Sequence, residues 1–242
     1  SIHGRNSIKM LHEQSVLIID YGSQYTQLIA RRIREQNVFS EILSYAVTSE
    51  EILRRNPKAI VLSGGPASVC TEGAPSLHPS IMKMGVPILG ICYGFGLLVT
   101  NDGGVMRSHG QREFGFAELE VESDSLLFNG LSESSQVWMS HGDQISDLPP
   151  GFQSIAYTDN SPVAVIANEK KMIGIQFHPE VAHTPQGKKL LQNFLYDICG
   201  CKQLWTAENF VSEAIERIKE QVGDGRVICA LSGGVDSAVT AT

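Results

Sequence analysis

The pentapeptide Gly90-Ile-Cys92-Tyr-Gly94 directly follows the apolar run Val86 to Gly90. A cysteine between small residues, at a tight turn from strand to helix, stands above a sheet beside a helix N-terminus. That setting favours the thiolate, the form that attacks a carbonyl carbon. The same place also suits a small buried hydrophobe, the commoner fate of an intracellular cysteine. His178-Pro-Glu180 lies 178 − 92 = 86 residues further along. In an extended segment, residues two apart project to one side, so Glu180 can hold the His178 ring in one tautomer and stabilise its charged form. Alone, His178 reads as a capped strand-end histidine; with Cys92 it reads as the base of a Cys-His-Glu triad. Ser63-Gly-Gly-Pro66 ends a third apolar run, where glycines let main-chain N–H groups approach a ligand as oxyanion donors. Gly-Gly-Pro is also an ordinary turn.

Such groups must be carried by buried strands. Val16 to Asp20, Ala59 to Leu62 and Val86 to Gly90 are continuous and β-branched rather than alternating, as expected of strands covered on both faces. Helical patterns run between them: Gln24 to Gln36 gathers Leu28, Ile29 and Ile33 on one side, and Glu50 to Arg55 stops before Pro57. From Phe114 to Pro179 the runs shorten to Ala117–Val121, Gln136–Met139, Val163–Ala167 and Met172–Phe177. Lys188 to Ile198 closes the unit as a helix. The expected class is α/β: a mostly parallel, doubly wound sheet with helices on both faces and a small antiparallel or mixed edge. After a linker at 200–206, Thr206 caps an amphipathic helix whose buried side is expected to be Phe210, Val211, Ala214, Ile215, Ile218 and Val222. One more strand follows, Arg226 to Leu231.

Across 242 residues, 19 Lys and Arg against 26 Asp and Glu give a net charge of −7, which argues against a nucleic-acid surface. Val86 to Val99 is too short to span a bilayer, so no membrane partner is expected. Ser1 to Gln14 lacks an apolar signal core and reads as a tail or a cut end. Five cysteines without C-x-x-C spacing suit a reducing compartment, taken as the cytoplasm, and argue against a zinc site or a disulfide framework. No metal ligand set is expected.

With order, spacing and glycine loop in agreement, the sequence resembles the class I glutamine amidotransferases. Further segments narrow the likeness to members that feed amination of xanthosine monophosphate to GMP: Asp20-Tyr-Gly-Ser-Gln-Tyr-Thr-Gln27, Leu62-Ser-Gly-Gly-Pro66, Arg112-Glu-Phe-Gly115, Trp138-Met-Ser-His-Gly-Asp143 and Gly174-Ile-Gln-Phe-His-Pro-Glu180. The resemblance implies hydrolysis of glutamine by Cys92, His178 and Glu180, with the oxyanion held by the N–H groups of Gly65 and Tyr93. It implies no cofactor for that step. Ser140, His141, Gly142 and Asp143 are implied to lie by the bound glutamine, although His141 and Asp143 serve equally as turn and capping residues. In this family the elbow usually runs C-x-G-x-Q; here Gly96 stands at the last position, which predicts weakened glutamine binding.

Ser232-Gly-Gly-Val-Asp-Ser237 follows the last apolar run and is not a Walker A loop, since no Gly-Lys-Ser/Thr follows. It resembles the pyrophosphate loop of N-type ATP pyrophosphatases, which implies ATP binding by Ser232, Gly233, Gly234, Val235, Asp236 and Ser237. A Gly-rich turn is the plain alternative. The expected organisation is a tail at 1–14, a glutaminase at 15–199, a linker at 200–206, and the start of an ATP-dependent synthetase at 207–242. The full enzyme is expected to use ATP with Mg2+ and xanthosine monophosphate, so this chain is expected at most to hydrolyse glutamine. A glutamine-binding regulatory module and a cysteine hydrolase of γ-glutamyl compounds are the alternatives, the second giving no reason for a pyrophosphate loop.

Overall fold

The computed structural model describes residues 14–226. The chain divides after Trp205 into two compact units. The first holds the strands β1 (Val16–Asp20), β2 (Ser40–Ser44), β3 (Ala59–Leu62), β4 (Ile88–Ile91), β5 (Val105–Val121), β6 (Ser134–Asp147), β7 (Phe152–Tyr157), β8 (Val165–Asn168) and β9 (Met172–Ile175). They form one sheet in the order β2-β1-β3-β4-β9-β8-β7-β5-β6. The pairings from β2 through β9 in that order are parallel; those from β9 to β6 are antiparallel.

Alternation within the continuous apolar runs explains why they are strands. Val16 and Ile18 of β1 pack on one face with Ile29 and Ile33 of α1 (Thr26–Arg34). Leu17 and Ile19 pack on the other, in the cluster that holds Ile52 of α2 (Ser49–Arg55) and Ile81 of α3 (Pro79–Met82). Phe95, Leu98 and Val99 of α4 (Tyr93–Asn101) join that second face. α5 (Gly187–Asn193) runs into a π turn, Phe194–Ile198, and covers the first. At roughly 25 cal/mol per Å² of apolar surface, each such layer is a large favourable term, and both are needed to keep the central strands dry.

The α/β class and the parallel centre agree with the sequence. The antiparallel side is larger than the runs implied. β5 and β6 form a long ribbon of which only Ala117–Val121 and Gln136–Met139 read as strand, because its outer half is rich in Gly, Arg, Ser and Glu and shifts register between Ser108 and Glu113. β2, β7 and α3 likewise carry no clear apolar pattern. α1 begins at Thr26, later than the pattern suggests, because Ser23 Oγ accepts from the Tyr25 amide and Thr26 Oγ1 donates to Asp20, shaping a turn.

In the second unit, α6 (Ala207–Val222) is capped by Thr206 Oγ1, which accepts from the Asn209 amide at 3.1 Å. Its apolar stripe is not buried: Phe210, Val211, Ile215 and Ile218 are all more than a third exposed. Among the described residues of this unit α6 is the one regular element, and a helix cannot cover its own apolar stripe. The strand expected at Arg226 to Leu231 and the 1–14 tail fall almost wholly outside the described residues, and Ser232 to Ser237 do so completely.

Candidate active site

The neighbours β3, β4 and β9 bring three loops together at their carboxyl ends, where parallel sheets place their sites. The loop after β4 is the sharpest. Cys92 has φ 52° and ψ −99°, a conformation that costs a residue with a side chain about 1–3 kcal/mol. Neighbouring main chain holds it there: the Cys92 amide donates to Ile175 O at 2.8 Å, and the Gly94 amide to Ser63 O at 3.1 Å. The flanking glycines are required by space. A Cβ on Gly90 would lie 2.4 Å from Gly94 O, and one on Gly94 would lie 2.4 Å from Leu62 O. The G-x-C-x-G spacing is therefore a packing requirement of a cysteine lifted off the strand at the N-terminus of α4.

His178 follows β9. Its amide donates to Trp138 O at 3.0 Å and its carbonyl accepts from Thr184 Oγ1 at 2.6 Å, so its main chain is fixed on both sides. The ring Nδ1 lies 2.7 Å from Glu180 Oε1, and the ring also engages the Cys92 side chain. Burial pulls the imidazole down, but the Glu180 charge and the bonds to Cys92 and Glu180 outweigh it and raise the ring to about 10. Glu180 is fully buried, and its Oε2 has no partner among the described residues. Its carbonyl accepts from Arg32 Nε of α1 at 3.1 Å. A charged pair in so dry a place is costly to break, because the remaining charge stays buried.

The third loop passes close by. A Cβ on Gly64 would lie 3.1 Å from His178 Cε1 and 3.7 Å from Cys92 Cβ, so only main chain fits over the pair. A cavity of about 500 Å³ opens on Cys92, and Gly65, Tyr93, Ser140, His141, Gly142 and Asp143 line it. His178 and Glu180 are not part of that lining; the His178 ring engages Cys92 from beside it, with Glu180 buried behind. Ser140 contributes main chain, its carbonyl 3.4 Å from Cys92 Sγ. His141 does not present a free ring: Nδ1 lies 2.9 Å from Asp143 O and Nε2 lies 2.9 Å from Glu113 Oε2. His141 thus lines the cavity while both its ring nitrogens face protein acceptors. The Asp143 carboxylate acts at the cavity wall, where its charge adds to burial in raising the Tyr93 phenol.

Several neighbours escape sequence reasoning. Tyr25 meets the His178 ring edge-on, with centroids 5.4 Å apart. Val69 fills the space above Gly96, whose Cβ would lie 2.9 Å from both Val69 methyls. Val69 has no local signal, and although Tyr25 lies within the Asp20 to Gln27 segment, its type says nothing about the ring it faces. A second hollow of about 660 Å³, over Val121 to Glu133, touches none of these groups. Among the described residues, no group of three or more His, Cys, Asp or Glu side chains could hold a metal ion, and no helix is long and apolar enough to cross a membrane.

Comparison with known proteins agrees with this geometry. The family profile described as "Glutamine amidotransferase class-I" matches residues 17–198. GMP synthase [glutamine-hydrolyzing] of Mesorhizobium japonicum is 53% identical over 234 residues, covering 95% of this chain and 45% of that protein. The protein of that name from Clostridium novyi is 51% identical over 232 residues, covering 96% and 45%. The chain therefore spans less than half the length of the curated relatives it matches. Among solved structures, a protein from Thermoplasma acidophilum described as a GMP synthase subunit superposes with a TM-score of 0.66 at 25% identity, covering 85% of this chain and 97% of that one. A glutamine amidotransferase from Thermotoga maritima shares the fold, with a TM-score of 0.62 over 76% of this chain and 97% of that one at 21% identity. With the family profile spanning the sheet, the elbow and the His178 to Glu180 segment together, the chain belongs to the class I glutamine amidotransferases.

Proposed function

We propose that this chain is the glutamine-hydrolysing part of a GMP synthase. The observation that carries the reading is the strained Cys92 held against the buried His178–Glu180 pair at the floor of a cavity large enough for an amino acid. The reaction begins with the proton on His178. Cys92 Sγ attacks the γ-carboxamide carbon of glutamine, and the amides of Tyr93 and Gly65 receive the charge on oxygen. His178 protonates the departing nitrogen, which leaves as ammonia and a γ-glutamyl thioester on Cys92. The ring, now neutral, takes a proton from water, whose oxygen displaces the thiolate to give glutamate. Glu180 holds the ring through both steps. The Asp143 carboxylate is suited to the α-ammonium of the substrate, with Ser140 and Gly142 supplying main chain beside it.

On this reading residues 15–199 are the glutaminase, 200–206 a linker and 207–242 the start of an ATP-dependent synthetase. In the complete enzyme the ammonia aminates xanthosine monophosphate with ATP and Mg2+, and Ser232, Gly233, Gly234, Val235, Asp236 and Ser237 bind the pyrophosphate part of ATP. The free thiols of Cys70, Cys92, Cys199 and Cys201 support a reducing, cytoplasmic location. Glutamate release from glutamine by this chain, compared with Cys92→Ala, tests the reading. Release lost in the variant supports a glutaminase; equal rates assign the fold to binding alone.

A further inference from the structure

The buried group that the mechanism leaves unused lies behind the cavity wall. Glu113 on β5 and His141 on β6 are direct cross-strand partners. Both side chains are withdrawn from solvent, at 11% and 3% exposure. Glu113 Oε2 lies 2.9 Å from His141 Nε2 and accepts from Ser161 Oγ at 2.8 Å. Glu113 Oε1 is buried with no partner among the described residues. The other ring nitrogen of His141 faces the carbonyl of Asp143. A carboxylate and a carbonyl are both acceptors, so each ring nitrogen of His141 faces an acceptor and the ring is held from both sides. Ser161 is itself locked in a turn, its amide donating to Thr158 Oγ1 at 3.1 Å and its carbonyl accepting from the Thr158 amide at 2.9 Å.

Such a pair is a poor source of stability, because desolvation offsets most of its attraction, whereas its directionality is high. Its bond to main chain falls on one peptide, that of Asp143. The segment it holds is the one whose Ser140 carbonyl touches Cys92 Sγ and whose Asp143 charge reaches Tyr93. We infer that Glu113, backed by Ser161, is a positioning residue for glutamine: it orients His141, which fixes the Asp143 main chain and so aims the Asp143 carboxylate into the cavity. This rests on the reading of the cavity as a glutamine site.

The test measures glutamine affinity by calorimetry in the Cys92→Ala chain, so that it does not depend on turnover. Glu113→Gln is expected to raise Kd about tenfold and Asp143→Asn by a similar factor. Because one acts through the other, Glu113→Gln added to Asp143→Asn is expected to change Kd less than about twofold. In the parent chain with Cys92 intact, Glu113→Gln is expected to raise KM by the same factor and leave kcat within about twofold. Fully multiplying effects in the double variant, or a fall in kcat with KM unchanged, overturn the inference. If Glu113→Gln does not fold, Ser161→Ala carries the test: a two- to threefold rise in Kd, absent in the Asp143→Asn background, supports the role, and an unchanged Kd overturns it. A parent chain that binds glutamine, responds to these substitutions, yet releases no glutamate contradicts the catalytic reading alone.

Discussion

Nδ1 of His178 and Oε1 of Glu180 lie 2.7 Å apart, with the carboxylate fully buried. Burial depresses the imidazole, and Glu180 and Cys92 overcome that to raise it to about 10 from 6.5. A group raised on folding contributes stability that is complete below its unfolded value and lost as pH climbs through its folded one. Glu180→Gln removes the Glu180 charge and leaves burial opposed only by the contact with Cys92. The Tm gap between parent and Glu180→Gln is therefore expected to be widest below about pH 6.5 and to narrow towards pH 10 in thermal melts. A gap independent of pH contradicts the assignment. Glutaminase activity in the variant is expected to fall on the order of 10²–10⁴-fold, the cost of a lost orienting carboxylate.

The strain at Cys92 gives a comparison between two inactive variants. Alanine keeps a Cβ at φ 52°, whereas glycine does not. Cys92→Gly is expected to be more stable than Cys92→Ala by about 1 kcal/mol in denaturant titration, the reverse of the usual order for these residues. Equal or inverted stabilities would show that the elbow is not strained.

Gly90 and Gly94 have no latitude of this kind. A Cβ at either meets a main-chain oxygen at 2.4 Å, and backbone cannot turn aside as a side chain can. Gly90→Ala and Gly94→Ala are each expected to destabilise the chain by roughly 3 kcal/mol or more, or to yield insoluble protein. Near-native Tm in either variant would be inconsistent with this packing.

At Gly96 the structure adds a packing constraint that the residue type does not reveal. The residue type alone suggests that Gly96→Gln would tighten glutamine binding, but Val69 already occupies that space. The single substitution is expected to overpack the cavity wall by about 1–3 kcal/mol and not to improve KM. Adding Val69→Ala is expected to recover most of that stability. A stable Gly96→Gln protein with lower KM would restore the binding role of that position.

The parallel half of the sheet is legible because both its faces are buried, which leaves runs such as Val16–Asp20 and Ala59–Leu62 without polar interruption. The β5–β6 ribbon is largely illegible for the opposite reason. Phe114 and Phe116 are well exposed on it, so past the register shift its large apolar side chains stand on the open face and do not mark the covered one. The juxtaposition of Cys92 with the His178–Glu180 pair is legible because turn geometry and residue type both constrain Gly90-Ile-Cys92-Tyr-Gly94 and His178-Pro-Glu180. Val69, Tyr25, Glu113 and Ser161 are not, since each acts only through a neighbour distant in sequence. The stripe on α6 is amphipathic, as its spacing predicts, and exposed, against expectation, because periodicity reports that a face exists and not what covers it.

The most direct test of the central claim is covalent. A γ-diazoketone analogue of glutamine, with intact mass and peptide mapping as the readout, should modify one thiol per chain, at Cys92, and excess glutamine should slow the reaction. Modification of the exposed Cys70 instead, or a rate at Cys92 that glutamine leaves unchanged, would contradict a glutamine-shaped cavity built on Cys92, His178 and Glu180.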